Sequence, residues 1–246
     1  ILEYILSQWK EQNRFKGNEY IVKTIVTTEL LTQIAKNYNV EIYDTLTGFK
    51  FIAEIIRQNE GKKTYIAGGE ESYGYLIGDF VRDKDAVTAC AIIAEIAVWA
   101  KEQGKNLLDI LIDIYMKYGF YKEGLVNVVK KGKTGADEIQ EMMKNYRSNP
   151  PVKINGEEVN KIIDYKSGEI SDKLNGTIQK FNMHRSNVLQ IVTTQGTKIS
   201  VRPSGTEPKI KFYFSVKENL DSPQNFDSVN KKLDEKIHAF KTSLGL

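Results

Sequence analysis

Residues 1 to about 118 alternate two kinds of hydrophobic pattern. Apolar positions recur at three- and four-residue spacing over 1–13, 29–38, 48–59, 85–103 and about 106–117, which predicts helices. Between the first four lie short β-branched or alternating runs, YIVKTIVTT (20–28), VEIYD (40–44) and TYIAGG (64–69), which predict strands. Strand followed by helix, repeated, predicts an α/β domain: a parallel sheet flanked by helices, with ligands near the carboxyl ends of its strands.

Past Gly119 and Gly124 the pattern changes. Strands are expected at 125–131, 158–165, 187–193, 197–202 and 209–216, helices at 135–147 and 225–241, and a chain break at Pro150-Pro151. Two β-rich runs meet around Gln195-Gly196 as in a hairpin. This half is expected to be a smaller α+β domain with a mostly antiparallel sheet, which divides the chain into 1–118 and 119–246.

Composition narrows the function classes. The 246 residues are 41% hydrophobic and 27% charged, as in a soluble globular protein with a sizeable core. A net charge of +3 is too mild to call for nucleic acid, but it suits a small anionic ligand where a few cations converge. Lys130, Lys131, Lys133, Lys231 and Lys232 read as solvated faces rather than a nucleic-acid stripe. No run approaches the roughly 18 apolar residues of a membrane span, so no membrane partner is expected. The one cysteine, Cys90, lies in the apolar run AVTACAIIAEIAVWA; it reads as a small buried hydrophobe in a reducing cytosol. Because Ile1 already falls inside a helical pattern, the chain is expected to begin partway through a longer one.

Two connections hold more chemistry than a join requires. In AGGEESYGYLIGDFVRDKD (67–85), Glu70, Glu71 and Ser72 offer acceptors and a hydroxyl suited to a polyol, and Gly68, Gly69, Gly74 and Gly78 would let the backbone bend around it. Solvated loop carboxylates are the plainer reading of the same residues. Asp83 and Asp85 flank Lys84 either as a metal pair or, by the helix-start rule, with one of them capping the helix that follows. In RPSGTEPKIKFY (202–213), Arg202, Ser204, Gly205 and Thr206 followed by Lys209 and Lys211 are the parts of a phosphate cradle, or of a tight turn between solvated charges. His184 and His238 are the only histidines, and they form no metal or triad pattern.

Together, GGEESYGY…DKD and RPSGTEPKIKFY resemble the sugar-binding and phosphate-binding loops of the α-D-phosphohexomutase family, which includes phosphoglucomutase and phosphomannomutase. YDTLTGFKFIAEI (43–55) resembles that family's Thr-Gly loop. The resemblance spans essentially the whole chain and implies the third and fourth of four domains around a cleft. It implies sugar contacts from Thr47, Gly48, Glu70, Ser72 and Lys84, with Glu70 rather than Glu71 as the sugar ligand. It implies a phosphate grip from Arg202, Ser204, Gly205 and Thr206, aided by Lys211 and Lys209.

The family's phosphoserine loop and Asp-rich Mg²⁺ loop match nothing in this chain, so no catalytic nucleophile and no metal ligand are expected within it. Both would belong to upstream domains of the same enzyme, the chain's expected partner beside a sugar phosphate. The implied activity is a cytoplasmic isomerase, an intramolecular phosphotransferase working through a hexose 1,6-bisphosphate, and the fragment alone is expected to be inactive. A phosphopentomutase, a phosphoglucosamine mutase and a non-catalytic sugar-phosphate-binding module are the alternatives.

Overall fold

The computed structural model describes residues 1–130, 132–205 and 207–246. They form two compact units: Ile1–Phe120 with Asn219–Phe226, and Tyr121–Glu218 with Asp227–Leu246.

The first unit runs α1 (Leu2–Glu11), β1 (Glu19–Thr24), α2 (Leu30–Asn37), β2 (Glu41–Thr45), α3 (Phe49–Asn59), β3 (Thr64–Glu70), β4 (Gly74–Ile77), α4 (Ala86–Glu102) and α5 (Leu107–Tyr118). Its sheet has the order β2-β1-β3-β4, with β1 parallel to both β2 and β3. Every residue of β1 is buried, so both faces of the central strand are covered, as a parallel sheet requires. Tyr20, Val22 and Tyr65 pack with Phe49, Ile52 and Ile56 of α3 and with Leu76 of β4. The expected α/β class is therefore the observed one, with a correction at its edge. Residues 74–77 fall in what reads from sequence as a connection, yet they form an antiparallel strand on β3.

That hairpin also changes the role of the glycines. A side chain on Gly68 would lie 2.4 Å from the Val22 carbonyl oxygen and 2.6 Å from the Tyr65 hydroxyl, and one on Gly69 would lie 2.6 Å from the Gly74 carbonyl oxygen. These positions are bare so that strands can approach, not so that the chain can bend around a guest. Of the four glycines, only Gly78 needs a positive φ, at 72°.

Where β3 approaches β1 it carries one extra residue. Tyr20 pairs with Tyr65 but Val22 pairs with Gly68, a bulge that breaks the strict alternation of faces. Beyond it Gly68 and Glu70 lie on the face of Tyr65, opposite Leu76 and Gly74 of β4. Glu71 is displaced from that face.

The second unit contains β5 (Phe120–Val129), α6 (Gly132–Ser148), β6 (Lys153–Ile154), β7 (Glu157–Asp164), β8 (Glu169–Asp172), β9 (Ile178–Lys180), β10 (Leu189–Thr193), β11 (Lys198–Pro203), β12 (Lys209–Glu218) and α7 (Phe226–Ser243). The sheet order is β5-β12-β11-β10-β7-β8-β9, with β6 paired to β7. The pairs from β12 through to β9 are antiparallel, in keeping with the α+β expectation. Gly196, at φ 82°, turns the hairpin between β10 and β11. Its core gathers Ile199, Phe212, Phe214, Leu233 and Phe240. The three short strands β6, β8 and β9 carry too few apolar residues to show in the sequence pattern. Residues 219–226 join the first unit, where Phe226 stacks on Phe120 at 5.2 Å and Phe120 on Tyr115 at 4.1 Å.

Cys90 corrects a second expectation, because it is exposed on α4 rather than buried. Periodicity cannot say which side of a helix meets the core when the helix is apolar on every side.

Gly68→Ala is expected to destabilise the protein by about 1–3 kcal/mol, the range for forcing atoms into a filled space. Urea unfolding measures it, and a cost within error of zero would mean that β1 and β3 are not held at this spacing.

Candidate functional site

In the first unit, four of the five expected sugar-site residues converge on the amino end of α3. Gly48 caps that helix at φ 120°, a conformation that disfavours any side chain, with Thr47 just before it. Glu70, turned toward α3 by the bulge, accepts a hydrogen bond from the Gly48 amide at 2.6 Å through Oε1. A carboxylate at a helix amino terminus is favoured by the helix dipole as well as by the bond. The second oxygen, Oε2, makes no hydrogen bond among the described residues. A side chain on Gly74 would meet it at 3.3 Å and Lys84 Cδ at 2.9 Å, so the lysine stem crosses the bare glycine beside the carboxylate. Lys84 Nζ lies 5.2 Å from the Phe49 ring centre and donates to Asp83 Oδ1 at 2.7 Å. That hydrogen bond holds the Lys84 ammonium above the usual lysine range.

Ser72, the fifth, is exposed in the three-residue turn Glu71–Tyr73. Tyr73 closes this turn at φ 62°, where hairpins of this length ordinarily place glycine. It is also 89% exposed, so packing does not offset the strain. Glu71 is engaged elsewhere, accepting from Thr24 Oγ1 at 3.1 Å at the end of β1. The two adjacent glutamates thus have different work.

Asp85 is the cap of α4, accepting from the Val87 and Thr88 amides at 3.0 and 3.3 Å and from the Thr88 hydroxyl. The Thr88 hydroxyl above all, and then the amides, hold its carboxyl below the usual aspartate range. With Asp83 on Lys84 and Asp85 on the helix, the RDKD segment presents no metal pair. Among the described residues no three His, Cys, Asp or Glu side chains gather as a metal site.

Lys23 belongs to none of the motifs that the sequence displays. It is a lone cation in a β-branched run, and it is completely buried near the carboxyl end of β1, held by Asp44 Oδ1 at 2.7 Å and Glu29 Oε1 at 3.1 Å. The only sequence signal is that a lysine interrupts YIVKTIVTT at a position that the strand must bury.

In the second unit the described residues among those expected to hold phosphate sit where β11 passes to β12. Arg202 stands directly opposite Lys211 in the antiparallel register. Like charges facing each other across a sheet are destabilising unless an anion joins them. Arg202 is half-buried, and its guanidinium makes no hydrogen bond or ion pair among the described residues. Ser204 anchors the turn through its amide to the Lys209 carbonyl at 2.8 Å, and Gly205 is exposed with open space around its α-carbon. Lys209 pairs with the Glu207 carboxylate, which this bond holds below the usual glutamate range. Thr206 lies outside the described residues. Ser204, Gly205, Glu207 and Pro208 line a groove of about 480 Å³ with Ala136, Ile139 and Gln140 of α6.

The chain is similar to known proteins over nearly its whole length. The family described as phosphoglucomutase/phosphomannomutase, alpha/beta/alpha domain III, matches residues 1–118, and the one described as phosphoglucomutase/phosphomannomutase, C-terminal domain, matches residues 125–221. The chain belongs to the phosphoglucomutase/phosphomannomutase family. A phosphoglucomutase of Staphylococcus aureus strain MSSA476 is 41% identical over 217 residues, covering 88% of this chain and 38% of that protein. One from strain N315 is 40% identical over the same length. The chain thus spans well under half of these curated relatives.

Two solved structures share the fold. The Paramecium phosphoprotein pp63/parafusin, a phosphoglucomutase in its open form, aligns with a TM-score of 0.58 at 16% identity, over 97% of this chain and 42% of that one. A phosphomannomutase described as putative, from Thermus thermophilus, aligns at 0.56 and 15% identity, over 99% and 39%.

The Asp85 cap gives a pH signature. Because its folded pKa is depressed, its contribution to stability is present above the unfolded aspartate value of about 3.9 and fades as pH falls through the folded one. Asp85→Ala should therefore lower the thermal midpoint at pH 7, and the gap from wild type should close below about pH 4. A gap that persists unchanged to about pH 2 would show that the carboxylate charge is not what holds the helix end.

Proposed function

We propose that this chain is the C-terminal part of a cytosolic phosphoglucomutase or phosphomannomutase, an isomerase that interconverts hexose 1- and 6-phosphates through an enzyme phosphoserine. The observation that carries the reading is the facing pair Arg202 and Lys211, two cations brought side by side by the strand register, where an anion would be held by both. A phosphate monoester fits that place: its oxygens accept two parallel N–H bonds from a guanidinium and a further one from an ammonium. Ser204, the Gly205 amide and Thr206 would close the cradle. Glu207, now on Lys209, is the counterion that an arriving phosphate would displace.

The first unit serves the sugar. Glu70 Oε1 is pinned by the Gly48 amide, which leaves Oε2 to accept from sugar hydroxyls, with the Lys84 stem beside it, Ser72 in the turn that follows and Thr47-Gly48 offering backbone. In the reaction the phosphoserine gives its phosphoryl group to the free hydroxyl of a hexose monophosphate. The bisphosphate formed turns round, and its other phosphate returns to the serine. Only a grip blind to which phosphate it holds permits both halves, and a turn of cations and hydroxyls has that indifference. The phosphoserine is assigned to the part of the enzyme that precedes this chain. Following the family resemblance, magnesium is assigned there too, where it would offset phosphoryl charge.

In the longer enzyme Arg202→Ala is expected to lower kcat/KM by about 2–4 kcal/mol, and Arg202→Lys to recover only part of it. Steady-state kinetics with glucose 1-phosphate decide it; unchanged kinetics with an intact fold would reduce the loop to a turn. Glu70→Gln exchanges an acceptor for a donor and should cost about 1–3 kcal/mol in kcat/KM, with inorganic phosphate binding hardly altered. Glu71→Gln, which acts on Thr24, should cost less. The reverse order of the two would reassign the sugar contact.

A further inference from the structure

The two faces of the sheet in the second unit are built differently near the phosphate turn. Leu189, Ile191, Ile199, Val201, Phe212 and Phe214 line one face, and all six are buried. On the other face the paired positions Gln190, Ser200 and Tyr213 form a polar row across β10, β11 and β12. These three are buried as well, Gln190 at 2% exposure and Ser200 at 1%. Tyr165, at the end of β7, reaches into the row: its hydroxyl donates to Gln190 Oε1 at 2.9 Å, and Gln190 Nε2 donates to Ser200 Oγ at 2.8 Å. One side-chain amide thus ties β7, β10 and β11 together. The far end of this chain is itself fixed. The Tyr165 amide donates to the Val188 carbonyl at 3.0 Å, and Arg147 of α6 donates to the residues just before both, Asp164 at 3.1 Å and Asn187 at 2.7 Å.

Stability alone does not call for such a row, since apolar side chains of the same shape would serve as well or better. Buried hydrogen bonds fix distance and direction, which apolar contacts leave loose. What needs fixing lies one step further along the strands. Alternation puts Arg202 on this same face, two residues beyond Ser200, and its opposite number Lys211 two residues before Tyr213. The repulsion of the two cations pushes the ends of β11 and β12 apart. Ser200 is the last side chain on this face of β11 before that pair. We propose that Gln190 is the positioning residue of the phosphate grip: by tying Ser200 to Tyr165 it holds β11 in place, so that Arg202 already stands opposite Lys211 when phosphate arrives. This deepens the mutase reading and rests on it. Gln190 does not touch the phosphate; it acts through Ser200 and the strand. The cost of bringing the cations together is then borne on folding and not on binding.

The test removes the row as a whole, combining Tyr165→Phe, Gln190→Met and Ser200→Ala in the longer protein, so that its donors and acceptors go together. Calorimetric titration with inorganic phosphate, with Arg202→Ala as the control that places binding at the turn, reads the grip without needing turnover. The thermal midpoint of the triple variant is expected to stay within about 4 °C of wild type, because paired polar groups are exchanged for apolar ones of similar shape. Its Kd for phosphate is expected to be about tenfold weaker, the loss when a binding group is no longer held in place. A residue that served the fold alone would move the midpoint and leave the Kd where it was. If the triple variant does not fold, Tyr165→Phe removes only the far bond and should weaken phosphate about threefold. Equal Kd values for wild type and the folded variant overturn the inference. Wild-type protein that binds no phosphate overturns the phosphate reading itself and this inference with it, so the two failures are told apart.

Discussion

The place where β3 passes β1 at Gly68 governs the first unit. One extra residue enters β3 between the pairs Tyr20–Tyr65 and Val22–Gly68, and the strand comes so near β1 that no side chain fits there. Strict alternation from Tyr65 would put Glu71 on the α3 side. With the bulge it is Glu70 that reaches the Gly48 amide, while Glu71 is left to bind Thr24. A local irregularity in hydrogen bonding has thereby chosen which of two identical side chains holds the amino end of a helix and lies beside Lys84.

The two candidate cradles offer opposite chemistry. In the first unit a carboxylate, held at one oxygen by a backbone amide and flanked by a lysine stem, suits neutral hydroxyl groups that donate to it. In the second, the facing pair of cations and the turn beside them suit a group with several anionic oxygens. Tyr73 at φ 62° and the like-charged pair Arg202 and Lys211 are both locally unfavourable. The first lies in a turn and the second on a strand pair, both in segments proposed to meet the ligand, and each departs from what stability alone would choose.

Much of this was legible without coordinates. Helices α1 to α5 follow from apolar spacing, and the α4 cap from an aspartate at a helix start. The hairpin between β10 and β11 follows from two β-rich runs about a glycine. Three features were hidden. β4 is only four residues long and opens with glycine, so its pairing is decided by β3 beside it. Lys23 reads as a polar interruption until Asp44 and Glu29, from separate elements, close around it. Cys90 sits in a run whose every side is apolar, and such a run carries no mark of inside and outside.

The sequence by itself determined the class of each half and the residue types of both cradles, because periodicity and hydrogen-bonding inventory are properties of short segments. It also determined the family, through the loops GGEESYGY and RPSGTEPK. Only the tertiary structure decided that Glu70 and not Glu71 accepts from the Gly48 amide, that Arg202 faces Lys211, and that Cys90 is exposed on α4. Each of these depends on register or on burial between segments distant in the chain. A one-residue shift in pairing, invisible in composition, turns a side chain from one face of a sheet to the other.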